Sequence, residues 1–245
     1  MIKNLFSAKF ILSLGLVTLL FACGNNKPAD NEAKTDSTAA TAMEEKSQAS
    51  AMPALPFNAM VIRHIVADYD KWRPFFDADS VNRNAAGMHL IGLARGIENQ
   101  NEIDIPFMID DVAKTKSFST DPKLKEIMSK AGVISPPDIK FIQVMRMSEE
   151  IAKKGDFVEI SHKVKDFDAW LKAFDSEGPE IRSKDGLTDG VLARGIDDPS
   201  LVYLVFRITD LSQAKAALLN PARLKVMMEA GVIGKPDVYF GRDQK

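Results

Sequence analysis

The chain has three histidines, and two of them stand in the same setting. His64 lies in Val61-Ile-Arg-His64-Ile-Val-Ala-Asp68-Tyr-Asp70-Lys-Trp72, and His162 in Glu159-Ile-Ser-His162-Lys-Val-Lys-Asp166-Phe-Asp168-Ala-Trp170. An imidazole changes charge near neutrality, so either residue could serve as a base or a ligand-binding group. Each is also in phase with apolar neighbours, Ile62 and Val66 or Ile160 and Val164, as a core histidine would be. In that role a ring nitrogen would bond a nearby carbonyl or carboxylate. The duplication favours the core role, because an active site rarely needs both copies. His89 has no counterpart, since Thr188 stands in its place. No His-x-x-x-His spacing or Cys/His cluster occurs, so no metal site is expected.

The other candidates repeat as well. Asp68 and Asp70, like Asp166 and Asp168, could be acid pairs beside an aromatic wall. The simpler expectation is a helix cap, an acid at the positive helix end and a Trp that anchors the helix. Arg95 and Arg194 lie within Leu-Ala-Arg-Gly-Ile segments and end the second strand just before a turn, with Glu98 and Asp197-Asp198 following. They are expected to form surface ion pairs across the turn, or else to hold a ligand carboxylate at the rim. On the next strand the alternate residues are Asp104, Pro106 and Met108 in one copy and Leu201, Tyr203, Val205 and Arg207 in the other. If these faces meet, Tyr203 and Arg207 help to line an asymmetric cavity of mixed polarity, suited to an amphiphile. The alternative is a lumen filled by side chains.

The elements that must position these residues also come twice. Met60 to Ala67 is rich in Val and Ile and predicts a strand, with Asp68 as the N-cap of a helix carrying Trp72 and Phe76. Pro74 should kink or restart that helix, whereas Lys172 should let the second copy run straighter. Met88 to Arg95 predicts a second strand. Ile103, Ile105, Phe107 and Ile109 alternate as a third. Pro106 cannot donate to a ladder, so a bulge or locally broken pair is expected in the first copy only. Asp110-Asp111 opens another helix, restarted at Asp121-Pro122 and ended at Gly132. A last strand runs from Ile139 to Met145. The order is β-α-β-β-α-β twice, an α+β fold of two tandem ferredoxin-like units. Each leaves one sheet face bare, and the tandem copy supplies the cover in cis.

His-x-Val-x-Asp-(Tyr/Phe)-Asp-x-Trp, Ala-Arg-Gly, Ala-Gly-Val-Ile and Pro-Asp-x-x-Phe together resemble the dimeric α+β barrel superfamily, and within it the antibiotic-biosynthesis-monooxygenase-like domains. The resemblance covers nearly all of residues 60–240. It implies two units pairing sheet to sheet as a pseudo-dimeric barrel, closed within one chain so that no higher oligomer is required. It does not imply one activity, because that superfamily includes cofactor-free oxygenases, haem-degrading enzymes and isomerases.

Ahead of the repeats, residues 1–22 carry Lys3 and Lys9, no acid, and an apolar run too short to span a bilayer with ease. The run ends Leu20-Phe21-Ala22-Cys23-Gly24, which resembles the lipobox of bacterial lipoproteins. The resemblance implies a signal peptide, lipid attachment at Cys23 and an anchored envelope protein. The absence of Asp after the cysteine favours the outer membrane. Cys23 is the only cysteine, so no internal disulfide can form. Residues 23–55, rich in Ala, Lys, Glu, Asp, Ser and Thr, are expected to be a disordered tether. The repeats are expected at 56–147 and 156–242.

The formal charge of −2 moves to −4 once a leader with two lysines and no acid is removed. No basic run favours nucleic acid. No nucleophile elbow, phosphate loop or dinucleotide fingerprint appears, and no cofactor is implied. The leading expectation is a lipid-anchored envelope protein whose double barrel binds a small amphiphilic ligand or a protein partner. The alternative is a cofactor-free monooxygenase-like enzyme acting in the lumen, with His64 or His162 as base. A third is a purely structural envelope protein.

Overall fold

The computed structural model describes residues 53–244. The expected signal peptide, the lipid site Cys23 and nearly all of the tether lie outside the described residues.

The first copy opens with β1 (Phe57–Ile65), whose alternation sends Met60, Ile62 and His64 to one face and Ala59, Val61 and Arg63 to the other. Asp68 then caps α1 (Tyr69–Ala78), accepting a hydrogen bond from the Lys71 amide at 3.1 Å. In the second copy β6 (Asp156–Val164) leads to α5 (Phe167–Glu177), where Asp166 accepts from the Ala169 amide at 2.8 Å. These are the expected caps, each satisfying an amide that the first helical turn leaves free.

Pro74 does not restart its helix. The chain stays helical to Ala78, breaks at Asp79, and resumes as α2 (Ser80–Ala85). The second copy breaks at the matching place, Gly178, before α6 (Pro179–Lys184), although it has no proline inside α5. The break therefore belongs to the shared plan and not to Pro74.

Pro106 acts on its neighbour. Its own strand, β4 (Glu102–Ile109), is continuous. The facing strand splits into β2 (Met88–Leu90) and β3 (Ala94–Gly96). Pro106 accepts from the Ile91 amide at 3.0 Å but has no N–H to return, and Ile91–Leu93 leave the ladder there. In the second copy β7 (Leu187–Gly195) is unbroken against β8 (Leu201–Ile208). It still shifts register between Asp189 and Val191, so irregularity is not confined to the first copy.

Each copy ends on a helix pair and a strand: α3 (Val112–Ser119), α4 (Pro122–Lys130) and β5 (Asp138–Met147), then α7 (Leu211–Leu218), α8 (Pro221–Glu229) and β9 (Val232–Asp243). Gly132 and Gly231 follow α4 and α8 at φ +89° and +95°, a conformation that side chains disfavour.

The strands run in the order β1-β5-β7-β8-β6-β9-β3-β4, and β4 pairs back on β1, which closes a ring of eight. The sheets thus do more than face each other. They join edge to edge at two seams, β5 with β7 and β3 with β9. Reciprocal ion pairs cross between the copies, Lys116 with Asp197 and Lys215 with Glu98. Three cores result. One lies between each copy's helices and the outer sheet face. The third fills the lumen with Ala59, Val61, Ile142, Val144, Phe157, Val205 and Tyr239 among others.

Candidate functional site

Among the described residues, clefts at corresponding positions open between helices and sheet in the two copies. The first is lined by His64, Trp72, Phe75, Phe76 and Leu124 and holds about 80 Å³. The second is lined by His162, Trp170, Ala173, Phe174 and Arg223 and holds about 320 Å³. The size difference follows from the sequence. Ala173 of α5 takes the place of Phe75 in α1, and Arg223, third residue of α8, takes the place of Leu124 in α4.

His64 and His162 line these clefts and not the lumen. The two-residue period of β1 and β6 carries them to the helix-covered face with Met60 and Val66, or Val158 and Val164. The expectation of a lumen base is therefore corrected for both. Each imidazole lies edge-on to its tryptophan, His64 at 5.7 Å from Trp72 and His162 at 5.5 Å from Trp170 between ring centroids. The anticipated hydrogen bond is missing. Among the described residues neither nitrogen of either ring has a partner. Burial penalises the charged ring and lowers both pKa values from 6.5 to about 4, so both histidines are neutral at pH 7.

In the wide cleft, Trp170 stacks on Phe174 with centroids 5.2 Å apart and planes 24° from parallel. This gives a flat aromatic wall. Charge gathers at one side. Arg182 is buried and grips Asp189 through two bonds of 2.7 Å, with Glu177 at 3.3 Å. Arg223 is bound to Glu177 and Asp185. Both guanidiniums are thus committed to acids, and the rest of the lining is mostly apolar. Such a space suits a molecule with a flat apolar body and a polar end.

Among the described residues Arg95 and Arg194 do not make the expected ion pairs. Arg95 donates to the Gln100 carbonyl and lies over the Tyr69 ring at 4.1 Å, and Arg194 donates to the Pro199 carbonyl at 2.6 Å and lies over Phe167 at 4.4 Å. The acids that were their expected partners bind lysines: Glu98 pairs with Lys215, Asp197 with Lys116 and Asp198 with Lys163. The two arginines fasten their turns to the first helix of each copy.

Tyr203 and Arg207 do lie on the inner face, but the space around them is packed. Tyr203 is buried and donates its hydroxyl to Glu159. Arg207 pairs with Asp243 at 2.6 Å and donates to the Ile151 carbonyl at 2.5 Å. Residues 149–152 form the linking turn, and Ile151 packs against the lumen core from there. Side chains of the third core pack the lumen around Tyr203 and Arg207. The six candidates are accordingly dispersed: two on the cleft floors, two on the turns and two in the lumen. Ala173, Glu177, Arg182 and Arg223 were missed, although laying one copy's helices over the other's would have exposed the Phe-to-Ala and Leu-to-Arg differences.

Among the described residues no group of three or more His, Cys, Asp or Glu side chains could hold a metal ion, and no helix is long and apolar enough to cross a membrane.

No model of a protein family matches the sequence, and no curated protein matches it. Solved structures do. An anthrone oxidase-like protein superposes with a TM-score of 0.51 at 12% identity, over 77% of this chain and 92% of that one. A monooxygenase-like protein from Listeria innocua gives 0.43 at 12% identity, over 78% and 95%. A ferredoxin-fold protein from Listeria monocytogenes related to antibiotic biosynthesis monooxygenases gives 0.45 at 9% identity, over 78% and 96%. The likeness is one of fold. Two ferredoxin-like copies joined edge to edge in a ring of eight strands make this chain a dimeric α+β barrel completed within a single polypeptide.

Proposed function

We propose that the second copy's helix–sheet cleft binds a small amphiphile with a flat apolar body, and that a lipid on Cys23 holds the barrel on the bacterial envelope, at the outer membrane. The observation that carries the binding site is the difference between the clefts, about 320 Å³ against about 80 Å³. Both copies keep the histidine, the tryptophan, the buried arginine and the caps, so those features serve the scaffold. Only the second copy combines a small residue at the wall with a charged one at the rim.

Binding is supported over turnover. His162 is the one imidazole lining the wide cleft, and His64 repeats its setting in the narrow one. Envelope attachment is supported by the Leu20-Phe21-Ala22-Cys23 sequence, and two or more acyl chains would anchor such a domain stably.

The test is a titration of the whole barrel with Nile red, a neutral, flat, apolar fluorophore. Saturable binding to the wild type, weakened at least about tenfold by Ala173→Phe in a variant with an unchanged circular dichroism spectrum, is expected. Equal binding to both proteins would exclude this cleft.

A further inference from the structure

The lumen contains two carboxyl groups that the cleft does not use. Asp104 comes from β4 of the first copy and Glu159 from β6 of the second. They are 1% and 6% exposed and lie within hydrogen-bonding reach of each other. Their positions do not correspond between copies. By the pairing of the repeats, Asp104 matches Tyr203, and Glu159 matches Val61. The contact therefore exists only because the two copies differ and only where they meet.

We propose that Asp104 and Glu159 form a proton-binding site at the interface of the copies, occupied at neutral pH by one proton on Asp104 that is donated to Glu159, and that its loss in alkali weakens the barrel.

Hydrogen bonding assigns the proton. Glu159 accepts from the Tyr203 hydroxyl, which favours its ionised form. Asp104 Oδ1 is buried with no partner among the described residues. As part of a carboxylate, that oxygen would put unpaired negative charge in the core. As the carbonyl of a neutral acid, it leaves a far smaller penalty.

Arg63 and Lys140 offset the pair only in part, because other acids share them. Arg63 of β1 is engaged by Asp237 of β9, Asp138 of β5 and Glu102 of β4, the last two at 3.4 and 3.7 Å. Lys140 of β5 is shared between Asp138 and Asp237. Tyr239 of β9 faces the pair without charge, burial holding its hydroxyl far above the usual range. The inner faces of β3 and β7 offer Ala94 and Ala193. Burial first, then Glu159, raises Asp104 well above the ordinary carboxylate range. Two carboxylates so placed cannot both ionise cheaply, so they titrate as a unit.

Infrared difference spectroscopy of the whole barrel in deuterated buffer tests this. The wild type should show the carbonyl band of a protonated carboxyl group at pH 7. The band should disappear in alkali and in Asp104→Asn, whose amide can donate to Glu159 in the proton's place. The melting temperature of the wild type should fall as the band is lost, and that of Asp104→Asn should not. A wild-type spectrum with no such band at pH 7 overturns the proposal even if the variant fails to fold, and so does a band that survives in the folded variant.

Discussion

Phe75 and Ala173 hold the same position on the first helix of the two copies, and the cleft beside Phe75 is one quarter the size of the cleft beside Ala173. A phenyl ring that is about half exposed stands where a methyl group leaves the wall open. Phe75→Ala should therefore widen the first cleft without dismantling its core. The expected loss is about 1–2 kcal/mol, below the usual range for a fully buried phenylalanine. Nile red should then show a second, weaker site. Denaturant melts and a binding isotherm check both parts, and a loss above about 4 kcal/mol would mean that the ring carries the core.

The histidines should show themselves in the acid limb of stability. Both pKa values fall from 6.5 in the unfolded chain to about 4 in the barrel, through burial. Between these values the unfolded state binds more protons. The folded state's advantage is therefore complete above pH 6.5 and is lost as pH falls toward 4. At about 1.4 kcal/mol per unit, each ring accounts for about 3 kcal/mol of that loss by pH 4. The double variant His64→Phe, His162→Phe should be flatter over this window, as denaturant melts from pH 7 to 4 would show. An unchanged slope would mean that the rings titrate in the fold as they do in the unfolded chain.

Much of the scaffold can be read from residues alone, because its signals are local. Asp68, Asp111, Asp166 and Asp210 sit one residue before helical runs and cap them. Gly132 and Gly231 end α4 and α8, and the His–Trp spacing returns intact. What strand period could not supply is the face. In a barrel both sides of β1 and β6 are buried, so alternation separates His64 from Arg63 without saying which one meets the helices. Arg95 misled for another reason: its partners, Tyr69 and the Gln100 carbonyl, come together only when turn and helix pack. The pairing of Asp104 with Glu159 is less accessible still, since it joins non-matching positions of separate copies and arises with ring closure.

The seams predict how a half-barrel behaves. Cutting the chain to residues 56–147 would remove β7 from β5 and β9 from β3, and expose Ala59, Val61, Ala94, Ile142 and Val144. Such a fragment should self-associate, or else bind a hydrophobic dye along its bare sheet. Light scattering and dye fluorescence decide the matter; a monomeric, dye-silent fragment would show that the copies do not depend on each other.

The proposed attachment to the envelope depends on a lipid at Cys23. Metabolic labelling with an alkyne fatty acid should tag the full-length protein in a bacterial host, and Cys23→Ser should lose the tag and leave the membrane fraction. Equal labelling of the two would remove the lipid anchor from the account.

The most direct measurement is a crystal structure of the barrel soaked with a neutral, flat, polycyclic phenol. Density is expected in the second copy, against the stacked Trp170 and Phe174 rings and below Arg223, with the first cleft and the lumen unchanged. Density in the lumen beside Tyr203, or in the first cleft in preference to the second, would contradict the assignment of the site to the cleft that Ala173 leaves open.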